Sequence, residues 1–188
     1  MNAAAASDPT PVLVITMGVS GCGKSTLSAG LAAEFGLRLL EADDFHPPTN
    51  VAHMRAGAPL SDAMREPWIA ALCATLRGHR QRDESCVLAF SGLRRAHRQR
   101  FRELGYPTLF LHLVGDPGVI RARLQARRGH FAPPGLLHSQ LEALERPMDE
   151  ADVVAIDVTS GCGPMHPQAI AAVRAFIAGV RSAGAARD

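Results

Sequence analysis

The 188-residue sequence contains almost no lysine: its 20 basic residues are 19 arginines and the single lysine Lys24. A position that keeps lysine in such a chain requires a compact ammonium group rather than a planar guanidinium. Aromatic residues are also scarce, with one tryptophan and one tyrosine. The net charge is only +2, and so small an excess of basic residues does not favour a nucleic-acid binder.

Long apolar runs are missing as well. No stretch of eighteen apolar residues occurs, so we expect no membrane span. The first residues have neither the basic start nor the apolar segment of a signal peptide. The four cysteines are far apart and lack metal-ligand spacing, which favours reduced thiols in the cytoplasm over a disulfide framework. The length suits one domain, expected at 11–182, between flexible tails at 1–10 and 183–188.

Short apolar segments alternate with helical patterns along the chain. Strands are predicted at 11–17, 37–42, 85–92, 107–114 and 151–158, and helices at 26–36, 51–57, 62–82, 93–105, 116–130, 135–146 and 167–180. Residues 43–50 are predicted to be a loop, because their prolines disfavour a helix. Continuous apolar strands between helices indicate an α/β fold with a five-stranded parallel sheet covered on both faces.

Residues 18–25, GVSGCGKS, match the phosphate-loop pattern G-x-x-x-x-G-K-[ST] at every fixed position, between a strand and a helix. Backbone N–H groups and the helix N-terminus surround the phosphates in such a loop. Lys24 would reach the β- and γ-phosphates, and the Ser25 hydroxyl would bind magnesium. We therefore predict a P-loop NTPase fold that binds a nucleoside triphosphate; a glycine-rich turn without a ligand is the alternative. The predicted ATP contacts in this loop are Gly18, Ser20, Gly21, Cys22, Gly23, Lys24, Ser25 and Thr26.

Two classes of nucleotide-binding protein are excluded by what the sequence lacks. The Asn-Lys-x-Asp motif of GTPases needs a second lysine, and the LSGGQ signature of ABC proteins is absent. A small five-stranded P-loop domain then favours a kinase of a nucleotide or small metabolite.

Polar residues that follow the second predicted strand are candidates for the acceptor side. Asp43, Asp44 and His46 come directly after it, where ligands bind in parallel α/β sheets. A carboxylate there can deprotonate an acceptor hydroxyl or hold water on magnesium. A polar loop that caps the next helix is the alternative, and His46 alone would be ambiguous.

Several arginines extend this candidate site. Arg65 lies on the same helix face as Asp62, so an exposed ion pair with Asp62 is its alternative role. Trp68 is expected to pack against other side chains rather than to contact substrate. Arg123 and Arg127 share a helix face before a glycine and prolines, which resembles a mobile lid at about 123–136; a solvated basic face is the alternative. The basic run 94–102 is interpreted as a solvated helix face, except for its first residues, which lie near the strand end.

Longer stretches of the chain resemble one known family, the bacterial-type gluconokinases of the P-loop, shikimate-kinase-like group. The resemblance covers roughly residues 12–180, through MGVSGCGKST, ADDFHPPTNVAHMRAGAPLSD, REPWI, FSGLRR, RARLQARRGHF and SQLEALE. It implies ATP- and magnesium-dependent phosphorylation of the 6-hydroxyl of D-gluconate, giving 6-phosphogluconate. It also implies a cytoplasmic protein that is commonly a homodimer.

The resemblance assigns a role to each candidate residue. Catalytic roles fall to Lys24, Asp43 and Arg127; ATP contacts in the lid to Arg123 and Arg127; substrate contacts to Asp43, His46, Arg65, Arg94 and His130; and metal binding to Ser25 and Asp43. Met64, His97 and Gln99 stand where the family has an acid, a tyrosine and an aspartate. Two alternatives stay open: a kinase of another small sugar acid or shikimate-like metabolite, and a catalytically weakened nucleotide-binding regulatory protein.

Overall fold

The computed structural model describes residues 10–58, 60–126 and 135–186. Its five strands form one parallel sheet, as the sequence predicts, and their order is β2-β3-β1-β4-β5. They are β1 (Leu13–Met17), β2 (Arg38–Glu41), β3 (Cys86–Ala89), β4 (Thr108–Val114) and β5 (Val153–Asp157). The strand before the phosphate loop, β1, therefore lies at the centre of the sheet, where its ends are held by neighbours on both sides.

Seven α-helices connect or follow these strands within the described residues. They are α1 (Lys24–Phe35), α2 (Pro48–Arg55), α3 (Asp62–Arg80), α4 (Arg95–Arg102), α5 (Pro117–Ala126), α6 (Leu136–Ala143) and α7 (Pro167–Ala185). Gly36 ends α1 with φ 64°, as predicted. Ser61 caps α3, because its Oγ accepts the Met64 backbone N–H at 3.3 Å. The last helix continues to Ala185, so the predicted helix end at 180 was placed too early.

Two apolar cores lie on opposite faces of the sheet because successive side chains of a strand alternate in direction. Val14 of β1 belongs to a cluster with Leu31 of α1, on the face that α7 also covers. Ile15, the next residue, belongs to a second cluster with Leu72 of α3. Helices therefore cover both faces, which confirms the predicted layering. None of the helices in the described segments is long and apolar enough to cross a membrane.

The segment after β2 is helical, and the prediction of a loop at 43–50 is wrong. A 3-10 helix spans Ala42–Phe45, and α2 begins at Pro48. Proline is tolerated at the first position of a helix, where its missing N–H has no partner to lose. The Asn50 N–H donates to the Pro47 carbonyl at 2.9 Å and closes the first turn. Asp43 and Asp44 are thereby held on a short helix rather than on a free loop.

Three connections leave the carboxyl ends of neighbouring strands at one edge of the sheet. The phosphate loop follows β1, the 3-10 helix follows β2, and residues 90–94 follow β3. In parallel α/β sheets this edge forms the ligand crevice. The topology therefore brings the predicted phosphate-binding and acceptor-binding segments to a single site.

Candidate active site

The phosphate loop, residues 18–23, depends on glycines at positions where a side chain has no room. Gly23 has φ 103°, and a Cβ added to it would lie 2.6 Å from the Cys162 Cβ. Gly18 has φ 140°, and its added Cβ would lie 2.9 Å from the Leu113 carbonyl oxygen. The loop thus presents backbone at the N-terminal end of α1, which begins at Lys24. This arrangement is suited to binding an anion.

The Lys24 side chain folds over the start of the loop. Its Nζ donates to the carbonyl oxygens of Gly18 and Val19 at 3.0 and 3.1 Å. No carboxylate of the described residues forms a salt bridge with it, although its charge lowers the pKa of the nearby Glu41 carboxyl. The Lys24 ammonium therefore lies beside the loop backbone, and its contact with phosphates stays a prediction.

Glu41, a carboxylate not predicted from the sequence, lies against Ser25, the predicted magnesium ligand. The Ser25 Oγ donates to Glu41 Oε2 at 3.0 Å. Burial raises the pKa of the Glu41 carboxyl; the Ser25 hydrogen bond opposes this, and the carboxylates of Asp43 and Asp44 raise the pKa further. An acidic residue at the end of an apolar strand, at the ligand-binding edge, was the signal that would have identified Glu41.

The oxygen atoms near Ser25 fit a magnesium ion that is shared with a nucleotide. A hydroxyl and the carboxylates of Glu41, Asp43 and Asp44 are hard donors of the kind that magnesium prefers. Within the described residues, no group of three or more His, Cys, Asp or Glu side chains is arranged to hold a metal alone. Magnesium sites of kinases take the remaining oxygens from phosphates. Ser25 and Asp43 are the two magnesium ligands predicted from the sequence. Ser25 forms a hydrogen bond with Glu41, and Asp43 lies exposed on the 3-10 helix.

His46 and Trp68 form a stacked pair beside Asp43. Their ring centroids are 4.0 Å apart with an interplanar angle of 19°. Trp68 is buried, as predicted, and its Nε1 also donates to the Ala42 carbonyl at 2.6 Å. Burial lowers the pKa of His46, with the Arg65 charge lowering it further and the Asp43 charge opposing. The imidazole is therefore neutral at pH 7, and its buried Nδ1 has no hydrogen-bond partner among the described residues.

The charges of Arg65 and Arg94 both act on His97. Arg65 makes the ion pair with Asp62 that was named as its alternative role, at 2.7 Å, and Arg94 Nη1 lies 3.4 Å from Glu145 Oε1. The Nε of Arg94 is buried and has no partner within the described residues. Burial lowers the pKa of His97, and the charges of Arg65 and Arg94 lower it further. His97, noted in the sequence only as a departure from the family, therefore lies within reach of the charges of both arginines.

The other two departures have local explanations. The Gln99 Nε2 donates to Glu103 Oε1 at 3.2 Å, in an exposed hydrogen bond at the end of α4. At Met64 it is the backbone that makes the contacts: its N–H is capped by Ser61, and its carbonyl accepts from the Asn50 side chain at 2.8 Å. An acid at position 64 is therefore not needed for the cap itself.

The basic helix α4 is not a solvated face throughout, which corrects the favoured interpretation of residues 94–102. Arg98 is fully buried and donates to the carbonyls of Gly92 and Glu145 at 2.6 and 3.0 Å. Its Nε donates to the Glu150 carboxylate at 2.9 Å. The hydrogen bonds from Arg98, aided by Arg102, lower the pKa of Glu150 to about 2. This buried network fixes the segment that carries Arg94.

The predicted lid is described only at its two ends. Arg123 lies in α5, and its guanidinium donates to the carbonyls of Val158 and Thr159 at 2.7 and 2.9 Å. Arg127 and His130 lie outside the described residues, as does the rest of 127–134. The described residues resume at 135, immediately before α6, so the motion of the lid stays a prediction.

All four cysteines are free thiols, as expected. Cys22 of the phosphate loop is buried, and burial raises the pKa of its thiol. Its predicted contribution to ATP binding would therefore come from its backbone.

Comparisons with known proteins agree with this geometry. A family model for an AAA domain (AAA_33) matches residues 13–147. The gluconokinase of Gluconobacter oxydans is 40% identical over 160 residues, covering 85% of this chain and 87% of the relative. The thermosensitive gluconokinase of Escherichia coli is 40% identical over 163 residues, covering 86% and 87%. The crystal structure of a gluconokinase from Sinorhizobium meliloti superimposes with a TM-score of 0.72 at 36% identity, covering 92% and 93%.

Proposed function

The chain belongs to the gluconokinase family of P-loop kinases, and on that premise we propose that it transfers the γ-phosphoryl group of ATP to the 6-hydroxyl of D-gluconate. The hydroxyl oxygen forms a bond to the γ-phosphorus while the bond to the β–γ bridging oxygen breaks. The hydroxyl proton passes to a base, and the products are ADP and 6-phosphogluconate. The observation that carries the proposal is that the phosphate loop and a cluster of basic residues meet at one edge of the sheet.

On the nucleotide side, this chain's own residues position the phosphates. The loop backbone and the α1 N-terminus bind the oxygens, and Lys24 moves from the Gly18 carbonyl to the β- and γ-phosphates. Ser25, Glu41 and Asp43 are the residues that would hold magnesium. When bound, this ion would neutralise charge that develops on the phosphate oxygens. Lid residues Arg123 and Arg127 would add arginine contacts, and Arg127 is assigned its catalytic role by family resemblance alone.

On the acceptor side, Asp43 is the proposed base for the 6-hydroxyl, because it follows β2 at the crevice edge. His46, Arg65 and Arg94 would bind the hydroxyls and carboxylate of gluconate, with His130 from the lid. The unpartnered His46 Nδ1 and Arg94 Nε support this assignment. A buried polar atom left without a partner costs about 1–3 kcal/mol, which a sugar-acid oxygen would recover.

We further propose that the protein works in the cytoplasm as a homodimer. Free thiols and the use of ATP support the location, and family resemblance supports the dimer. Light scattering during size-exclusion chromatography would measure the mass of the assembly against the 20.0 kDa of one chain.

A coupled assay of ADP release with a panel of acceptors tests the function. The matched pair is D-gluconate and sorbitol, because both have six carbons and only gluconate carries a carboxylate. We expect kcat/KM for gluconate to exceed that for sorbitol by about a hundredfold or more, the value of a well-placed arginine–carboxylate pair. Preference for shikimate or another sugar acid would show that the protein is a kinase of a different small acid. ATP binding without turnover of any acceptor would support a nucleotide-binding regulatory protein.

A further inference from the structure

One amide of the phosphate loop is bound by a side chain from the far part of the chain. The backbone N–H of Ser20, the third loop residue, donates to Gln140 Oε1 at 2.6 Å. Gln140 lies on α6 within the SQLEALE stretch, 120 residues further along. No motif in the sequence assigns Gln140 a role.

The position of Gln140 is set by the packing of its helix. Leu137, three residues earlier and so on the same helix face, is buried in the apolar cluster that includes Val19 and Cys22 of the phosphate loop. Gln140 itself is half-buried. The hydrogen bond to Ser20 is therefore made from an anchored helix.

The orientation of the Gln140 amide follows from its partner. A backbone N–H only donates, so the atom facing Ser20 is the amide oxygen, and the NH₂ group points to the other side of the same carbon. That NH₂ has no hydrogen-bond partner among residues 10–58, 60–126 and 135–186. A neutral side-chain donor is thereby placed next to the phosphate loop.

We infer that Gln140 is a nucleotide-binding residue whose oxygen fixes Ser20 and whose NH₂ donates to a phosphate oxygen of ATP. The inference rests on the proposed function only for the identity of the ligand, a nucleoside triphosphate. It differs from a purely structural role, in which Gln140 would serve only to tie α6 to the loop.

Two substitutions separate these roles. Gln140→Glu keeps an oxygen that accepts from Ser20, and the charge strengthens that bond, but it replaces the NH₂ donor by a negative charge beside the phosphates. Gln140→Met keeps the volume and removes both hydrogen bonds. A structural tie predicts that the Glu variant is closer to wild type. A phosphate contact predicts that the Glu variant is the worse of the two.

The experiment is isothermal titration calorimetry with ATP and magnesium, without gluconate, on the full chain. We expect Gln140→Met to weaken ATP binding about tenfold and Gln140→Glu about a hundredfold. The control is Glu142→Gln on the same helix, where an exposed carboxylate pairs with His138 at 3.2 Å; its ATP affinity should equal wild type. Thermal melting of each variant establishes that it is folded.

ATP binding by the Gln140→Glu variant that equals wild type, or exceeds that of Gln140→Met, would overturn the inference. Because no acceptor is present, this result is independent of the proposed function. A wild-type protein that binds ATP but does not phosphorylate gluconate contradicts the proposed function alone. Equal ATP affinities with intact gluconate turnover contradict the role of Gln140 alone.

Discussion

Glu145 holds the start of α4 beside the acceptor site: its Oε2 accepts the Arg95 backbone N–H at 2.6 Å. Its Oε1 lies 3.4 Å from Arg94 Nη1, and its own N–H donates to the Leu93 carbonyl at 2.9 Å. Arg94 has no side chain that can cap the helix, so the cap comes from a residue about fifty positions later. The geometry of Arg94 therefore depends on the segment that follows α6.

Arg65→Ala and Arg94→Ala should each raise the KM for gluconate by about 30-fold or more, with the KM for ATP nearly unchanged. Each change removes one of the two arginines proposed to bind gluconate in a partly desolvated site, at a cost of about 2–4 kcal/mol. Steady-state kinetics with each substrate varied separately measure this. Arg100→Ala is the control, because Arg100 is on α4 but pairs with Glu66 on the surface. Wild-type gluconate kinetics in both variants would place the carboxylate elsewhere.

Lys24→Arg should reduce kcat by about a hundredfold or more, although the charge is kept. The guanidinium is larger and planar, so it cannot take the place of an ammonium that fits against the Gly18 and Val19 carbonyls. Arg174→Lys, a swap at an exposed ion pair with Glu34, is the matched control and should be neutral. Near-normal turnover of Lys24→Arg would contradict the role given to this residue.

Asp43→Asn should lower kcat by about a hundredfold or more, the usual range for loss of a positioned base. Asp44→Asn should cost less, because Asp43 is nearer the end of β2. The two variants are matched in chemistry and both residues are exposed, so neither change should alter the melting temperature much. If Asp44→Asn proves the more damaging, the two assignments are reversed.

Glu41→Gln should raise the magnesium concentration needed for half-maximal activity about tenfold, because one hard oxygen ligand loses its charge. The pH profile gives a second readout. Burial raises the Glu41 pKa above 4.5, so the wild-type enzyme loses its charged carboxylate as pH falls through that raised value. Activity at saturating magnesium should fall over this range in wild type and stay flatter in Glu41→Gln. An unchanged magnesium requirement would exclude Glu41 from the metal site.

Glu150→Gln should lower the free energy of unfolding at pH 7 by about 3–5 kcal/mol, because it leaves Arg98 buried without its counter-ion. The folded-state pKa of Glu150 is about 2, below its ordinary 4.5. The stability it provides is therefore complete above pH 4.5 and is lost as pH falls toward 2. Urea unfolding at several pH values should show the difference between variant and wild type shrinking over that range. A constant difference would mean that the carboxylate charge is not what stabilises the network.

The sequence predicted the parts of the site that are contiguous in the chain. Residues 18–25 carry the phosphate loop in one motif, so strand, loop and helix follow from local pattern alone. Glu41 and Gln140 escaped notice because their partners lie 16 and 120 residues away. The side chains gain their roles from the order of strands in the sheet, which the local pattern does not specify.

Two errors have identifiable physical causes. The helix predicted at 51–57 begins three residues earlier, at Pro48, because proline was treated as a helix breaker although the first position of a helix accepts it. The burial of Arg98 was missed because arginine normally lies at the surface. Here its charge is balanced by Glu150 and its remaining donors by the Gly92 and Glu145 carbonyls, which come together only in the folded chain.

The most direct test of the central claim is the identity of the product. Purified protein would be incubated with ATP, magnesium and D-gluconate, and the phosphorylated product would be analysed by phosphorus and carbon NMR. We predict one new phosphate monoester, with phosphorus coupled to carbon 6 of gluconate and formed in equal amount to ADP. Phosphate on another hydroxyl, or ADP released with inorganic phosphate and unmodified gluconate, would contradict the assignment of this chain as a gluconate 6-kinase.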